Sequence, residues 1–300
     1  MRRREFVGAC IGAALAPPPV MNSLASPAGG RGSARSGPPF QLSVMLWTIY
    51  EKLPFAQRLE KVAEAGFHAV ELVSEFKDWS KQQFADARAK KRQLGIEFDG
   101  TCGIWPTFAD ANDREKTLKA LADFIPTMTE LECTRLITQT GNKVPGLSPE
   151  QMRANCIEVL KRAGDIAARN NIEILVENID PEENPNYFLL HSADGFEIVR
   201  SVGNPHVKFL YDFYHEQIAA GNLIEKLERN IDLVGLVHIA DVPGRHEPGT
   251  GEVNYPVIFR KLAQLNYQGF AAMEFMAQGD TVAALRAARE MATKFGTIEN

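Results

Sequence analysis

Ile172-Glu-Ile-Leu-Val-Glu177 is a short β-type run, apolar almost throughout, that closes on a carboxylate. Phe209-Leu-Tyr-Asp212 and Ala272-Met-Glu274 have the same form, and Leu236-Val-His238-Ile carries a histidine in the corresponding place. Near-continuous apolar runs are expected of parallel strands covered on both faces. Working outward, runs of this kind are Leu42–Trp47, Ala69–Leu72, Ile96–Thr101, Arg135–Thr138, Ile172–Glu177, Val207–Asp212, Val234–Ala240 and Gly269–Glu274. Helical periodicity fills the gaps. Phe55, Leu59, Val62 and Ala63 share one face, as do Leu118, Leu121, Ala122 and Ile125, then Val159, Leu160, Ala163, Ile166 and Ala167. Ile224, Leu227 and Ile231 repeat that stripe, and Leu285, Ala288 and Ala292 close the chain with it. Ser148-Pro149-Glu150 and Ser192-Ala-Asp194 read as helix starts, and Gly66 and Gly95 as helix ends. Strand and helix alternating eight times at about 30 residues per unit predict a single-domain α/β fold, a (β/α)8 TIM barrel over residues 41–300. An open doubly wound sheet would carry a glycine-rich phosphate turn after its first strand. None follows Leu42–Trp47.

The barrel expectation supplies a search rule, because active residues in this architecture stand at the C-terminal ends of the strands. The last polar residues of four consecutive strands are Glu177, Asp212, His238 and Glu274. Taken singly, each has an ordinary explanation: a strand-end acid caps the next helix, and a histidine in an apolar strand is a satisfied core residue. Together they direct three carboxylates and an imidazole at one rim, where the carboxylates would repel one another strongly unless a cation joined them. Such a donor set suits one divalent ion, with the oxygen-rich balance favouring Mn2+ or Mg2+ and the histidine also admitting Co2+ or Zn2+. On the same rim, Asp241-Val-Pro-Gly-Arg-His-Glu-Pro-Gly-Thr-Gly251-Glu252 forms a polar, glycine-rich loop. Its Arg245 offers a two-pronged contact to a carboxylate or diol. His215 is placed to reach substrate oxygens, and Trp47 and Trp105 to form an apolar wall, with Phe213 read as packing.

Composition narrows the partners. Of 300 residues, 45% are apolar and 24% charged, an ordinary globular balance with formal net charge −5. Residues 1–25 contribute +2 of this, which leaves −7 on the remainder. A chain so acidic and without basic blocks is a poor match for nucleic acid, and equally for a membrane surface once residues 1–25 are removed. The start differs from the rest. Arg3-Arg4-Glu5-Phe6-Val7 precedes a short apolar run to Ala16, and Ser23-Leu24-Ala25 offers a cleavage site. This order predicts a Tat-type signal peptide at 1–25 and a periplasmic or secreted protein, with 26–40 as a flexible linker rich in Gly, Pro and Ser. The four cysteines, Cys10, Cys102, Cys133 and Cys156, are irregularly spaced, which argues against a disulfide framework or a zinc cluster.

At these residues the chain resembles the xylose isomerase-like sugar isomerase and epimerase superfamily, and within it the hydroxypyruvate isomerase family. The resemblance runs from about Gln41 to the C-terminus. It is most specific over His238-Ile-Ala-Asp-Val-Pro-Gly-Arg-His-Glu-Pro-Gly-Thr-Gly-Glu-Val-Asn-Tyr255, with support from Tyr211-Asp-Phe-Tyr-His215-Glu-Gln217, Val176-Glu-Asn178 and Phe67-His-Ala-Val-Glu-Leu72. It implies one metal held by Glu177, Asp212, His238 and Glu274. It also implies that Glu177 and Glu274 act as acid and base on a sugar or hydroxy-keto acid. Hydroxypyruvate isomerases carry glutamine at the third ligand position and ketose 3-epimerases carry histidine, so His238 departs from the former pattern. Family members often pair, which admits a homo-oligomer.

The expected reaction is proton transfer through a cis-enediolate. Return of the proton to the neighbouring carbon isomerises an aldose–ketose pair; return to the same carbon from the other face epimerises it. Two other readings stay open. Apurinic-site endonucleases share the fold but gather three zincs with more histidines than the six here, of which His68 and His206 precede strands at the opposite rim. A non-catalytic sugar-binding barrel would need neither metal nor opposed glutamates.

Overall fold

Eight parallel strands close into a barrel in chain order, β1 Gln41–Met45, β2 Ala69–Leu72, β3 Glu97–Thr101, β4 Arg135–Gln139, β5 Glu173–Glu177, β6 Val207–Asp212, β7 Val234–Ile239 and β8 Phe270–Met273. β8 pairs with β1 to complete the ring. The computed structural model describes residues 37–297. The signal peptide assigned to 1–25 lies outside them, as does the linker assigned to 26–40 except for its last four residues. Of those four, Phe40 is buried and stacks on Phe259, so the packed core begins one residue before the first strand.

The helices are α1 Phe55–Glu64, α2 Lys81–Leu94, α3 Arg114–Leu131, α4 Pro149–Arg169, α5 Ser192–Val202, α6 Phe213–Ala219, α7 Leu223–Asn230, α8 Tyr255–Gln264 and α9 Thr281–Gly296. Ser148 caps α4 through Gln151 in a reciprocal capping box with Pro149 at the first position, and Gly95 ends α2 in the left-handed region at φ 65°. Ser192 is different. It is the first helical residue of α5, and His191 holds the cap position without a side-chain bond. The Ser192 N–H donates instead to the buried carboxylate of Glu216, 2.9 Å away, so a residue from α6 does the capping that local sequence assigned to the serine. Several strand ends differ by one or two residues from the periodicity. Trp47, expected at the end of β1, lies in a 3-10 turn, Leu46–Thr48.

Alternation along each strand divides the apolar residues into two layers. Val44, Val70, Leu136, Ile174, Val176, Phe209, Val237 and Met273 face the helices. Met45, Ala69, Ile137, Leu175, Leu210, Leu236, Phe270 and Ala272 fill the barrel interior. Two residues beyond Leu175, Leu210, Leu236 and Ala272 stand Glu177, Asp212, His238 and Glu274. The same parity turns all four inward, one storey above that apolar floor. Because the floor is close-packed, its loss should be costly. Leu210→Ala is expected to lower unfolding free energy by about 2–5 kcal/mol, read from urea denaturation; a loss below about 1 kcal/mol would mean that the interior repacks.

Candidate metal centre

Strand register brings the four residues to one level: Asp212 pairs with His238 across β6 and β7, and the Glu274 N–H bonds the Ile239 carbonyl. All four are buried, and one donor atom from each lies within 4.8 Å of the others. His238 Nδ1 faces Glu274 Oε2 at 2.8 Å, Glu177 Oε1 at 3.2 Å and Asp212 Oδ2 at 3.7 Å. None of these approaches aligns as a hydrogen bond, and His238 Nδ1, Asp212 Oδ2 and Glu274 Oε2 have no hydrogen-bond partner among the described residues, Glu274 Oε2 being met by the charge of Arg245. Buried polar atoms are almost always bonded. Four donors that converge, three of them without a hydrogen bond, fit a cation at their centre. The donor set of three carboxylate oxygens and one imidazole nitrogen suits a divalent ion.

The remaining atoms of these side chains have fixed duties. Asp212 Oδ1 caps α6, accepting the N–H groups of Tyr214 at 2.6 Å and His215 at 3.2 Å. The helix-cap and cage roles of a strand-end acid are thus divided between its two oxygens. Glu274 Oε1 accepts the Trp47 indole N–H at 2.9 Å. Glu177 Oε2 accepts the Gln139 amide at 3.4 Å, and Gln139 is itself held by the Tyr187 hydroxyl at 2.6 Å. Each glutamate thus offers one oxygen to the cage while a neutral N–H holds the other.

Compensating charge surrounds the cage. Burial raises the Glu274 carboxyl, but Arg245 and His238 outweigh it and hold Glu274 well below the usual carboxylate range. Burial likewise opposes ionisation of Asp212, and His215, His238 and Arg245 together keep it below its ordinary value. Burial alone would lower His238, yet the charges of Glu274 and Glu71 hold it well above 6.5. Arg245 reaches Glu274 Oε2 at 2.7 Å and Glu183 Oε2 at 3.0 Å, with its guanidinium over the rings of Trp47 and Tyr214. His215 bridges Asp180, 2.7 Å from Nδ1, and Asp212, 3.5 Å from Nε2.

Asp241 explains the long loop after β7. Its buried carboxylate accepts N–H groups from Val242, Gly249, Gly251 and Val253, tying both ends of the loop to one side chain. Gly251 is required there, since a Cβ would lie 2.1 Å from the Val242 carbonyl oxygen. The gathered loop presents Arg245 with φ 56°.

Trp47 and Arg245 therefore stand at the cage, and His215 beside it. Trp105 is 70% exposed in the loop after β3, with no hydrogen bond or aromatic partner among the described residues. Phe213 packs between Tyr211 and Tyr255. Sequence reasoning missed Glu71, Gln139, Asp180, Glu183 and Tyr187. Glu71 and Gln139 were accessible to the alternation rule, two residues beyond the interior Ala69 and Ile137. Tyr187 and Glu183 come from an irregular loop with no periodic signal.

Residues 59–294 match the family described as xylose isomerase-like TIM barrel. The chain belongs to this family. Within the xylose isomerase-like barrels it is 33% identical over 251 residues to the 2-oxo-tetronate isomerase of Cupriavidus necator, covering 79% of this chain and 93% of that one. It is 28% identical over 251 residues to the hydroxypyruvate isomerase of Escherichia coli, covering 82% and 97%. Among solved structures, one described as AP endonuclease, family 2, from Brucella melitensis superposes with TM-score 0.74 at 28% identity, covering 83% of this chain and 96% of that one.

The setting of His215 predicts a pH dependence. Burial would lower its pKa, but Asp212 and Asp180 raise it from 6.5 to about 9. A raised folded-state pKa contributes stability that is complete below pH 6.5 and lost as pH climbs through about 9. In chelator-treated protein, His215→Asn is expected to remove about 3 kcal/mol of pH-dependent stability across that window. The measurement is the change in urea midpoint between the two pH values, and an unchanged slope would refute it.

Proposed function

We propose that this protein is a divalent-metal-dependent isomerase of a small hydroxy-keto acid or sugar, resembling hydroxypyruvate and 2-oxo-tetronate isomerases. The observation that carries the proposal is the convergence of four buried donor atoms, three of them without a hydrogen-bond partner among the described residues. Ligand assignment follows from it: Glu177, Asp212, His238 and Glu274 would hold the ion. When bound, the ion supplies Lewis-acid stabilisation of the negative charge that develops on the substrate carbonyl oxygen.

This chain's residues supply the rest. Glu177 on β5 and Glu274 after β8 form the proton-transfer pair. One removes the proton α to the carbonyl, giving a cis-enediolate; a carboxyl returns it to the neighbouring carbon while the hydroxyl proton passes to the former carbonyl oxygen. Gln139 and Trp47 keep each glutamate from swinging away. Arg245 and His215, both cationic at neutral pH, carry positive charge to the substrate's oxygens. A ketose 3-epimerase is the second reading, favoured by histidine at the third ligand position. It differs only in returning the proton to the carbon that lost it. The apolar floor and the Trp47 ring exclude water from the reacting carbons.

Residues 1–25 lead to a further proposal, export by the Tat route to the periplasm or beyond, on the pattern Arg3-Arg4-Glu5-Phe6-Val7. Replacing Arg3 and Arg4 together by Lys is expected to retain the full chain in the cytoplasm, scored by cell fractionation; normal fractionation of the variant would dismiss the route.

The catalytic reading is tested by metal analysis of the purified protein and by solvent deuterium uptake with hydroxypyruvate, 2-oxo-tetronate and free ketoses. About one divalent ion per chain is expected, with uptake into one substrate class. Glu274→Gln should slow uptake by about 10²–10⁴-fold. A protein that neither holds a divalent ion nor gains melting temperature on adding one would instead be a binding barrel.

A further inference from the structure

Glu71 lies on β2, on the far side of the ring from β6, and is wholly buried. Its Oε2 is 3.0 Å from His238 Nε2, while the opposite nitrogen of the same ring, Nδ1, faces the cage. Three local features make room for this carboxylate. The β2–β3 register shifts between Val70 and Glu71. Gly100 stands opposite, where a Cβ would come within 3.3 Å of Glu71 Cγ and 3.4 Å of Oε1. The adjacent buried acid, Asp99, is turned to the Ser43 hydroxyl at 2.5 Å. A buried carboxylate is costly to keep in an apolar barrel, and Glu71 has no hydrogen bond to a group other than His238 among the described residues.

Resting on the metal reading above, we propose that Glu71 is a positioning residue that fixes His238 in the tautomer able to bind the ion. A neutral imidazole carries its proton on one nitrogen and its lone pair on the other. With the Glu71 oxygen placed to accept from Nε2–H, the proton sits on Nε2 and the Nδ1 lone pair is directed into the cage. Without Glu71, the three cage carboxylates would draw the proton to Nδ1 and block the ligand atom. Carboxylate partners of this kind orient metal-bound histidines and tune their affinity.

The test uses the full chain labelled with ¹⁵N-histidine and loaded with Zn2+, which is diamagnetic. Multiple-bond ¹H–¹⁵N spectra, assigned with His238→Gln, should show a protonated, pyrrole-type Nε2 on His238. Zn2+ affinity is measured by chelator competition. Glu71→Gln, isosteric and so the variant most able to fold, should bind about ten- to a hundredfold more weakly. Gly100→Ala keeps the carboxylate but crowds it, and should weaken binding in the same direction. A pyridine-type Nε2 in the wild type overturns the proposal, as does Glu71→Gln binding within about twofold of wild type. Those outcomes leave the metal reading intact; a wild type that binds no divalent ion removes both.

Discussion

Three buried carboxylates repel one another, and most of the rim is arranged around that repulsion. Glu177, Asp212 and Glu274 come within ligand distance of one another because strand pairing in a closed ring leaves their Cα atoms no other place. Nitrogen-bearing side chains converge on them from three separate elements: His238 from β7, Arg245 from the following loop, and His215 from α6. Even the local hydrogen bonds obey this constraint. Each acid spends one oxygen on a neutral or backbone donor and keeps the other for the centre. The arrangement is rigid where charge is densest, and that is what a preorganised electrostatic site needs.

Support for that rigidity comes from residues that touch no reacting group. Asp241 gathers four backbone N–H groups and so converts a 12-residue glycine-rich stretch into a fixed platform for Arg245. Asp180 does the same for one histidine, with its second oxygen capping the turn at Glu182 and Glu183. Tyr187 reaches Glu177 only through Gln139. A chain of neutral donors ending on a carboxylate restrains it without adding charge.

The fold was legible in the sequence because parallel strands and amphipathic helices have distinct periods, and here they alternate cleanly from Gln41 onward. The four rim residues were legible for a related reason: strand ends in apolar runs are easy to find, and parity decides their direction. Legibility failed wherever a contact depends on tertiary approach. Nothing local in Ser192 says that Glu216 will serve its helix start, and nothing in Tyr187 points to Gln139. Glu71 and Gln139 obeyed the same parity as the four rim residues but sat in strands read only for their apolar content.

The apolar storey beneath the cage has a consequence for traffic. Leu175, Leu210, Leu236 and Ala272 are fully buried and close the barrel below the four donors. Under the proposed function, ion and substrate would share one approach, from the C-terminal ends of the strands, and a bound substrate would lie over the ion.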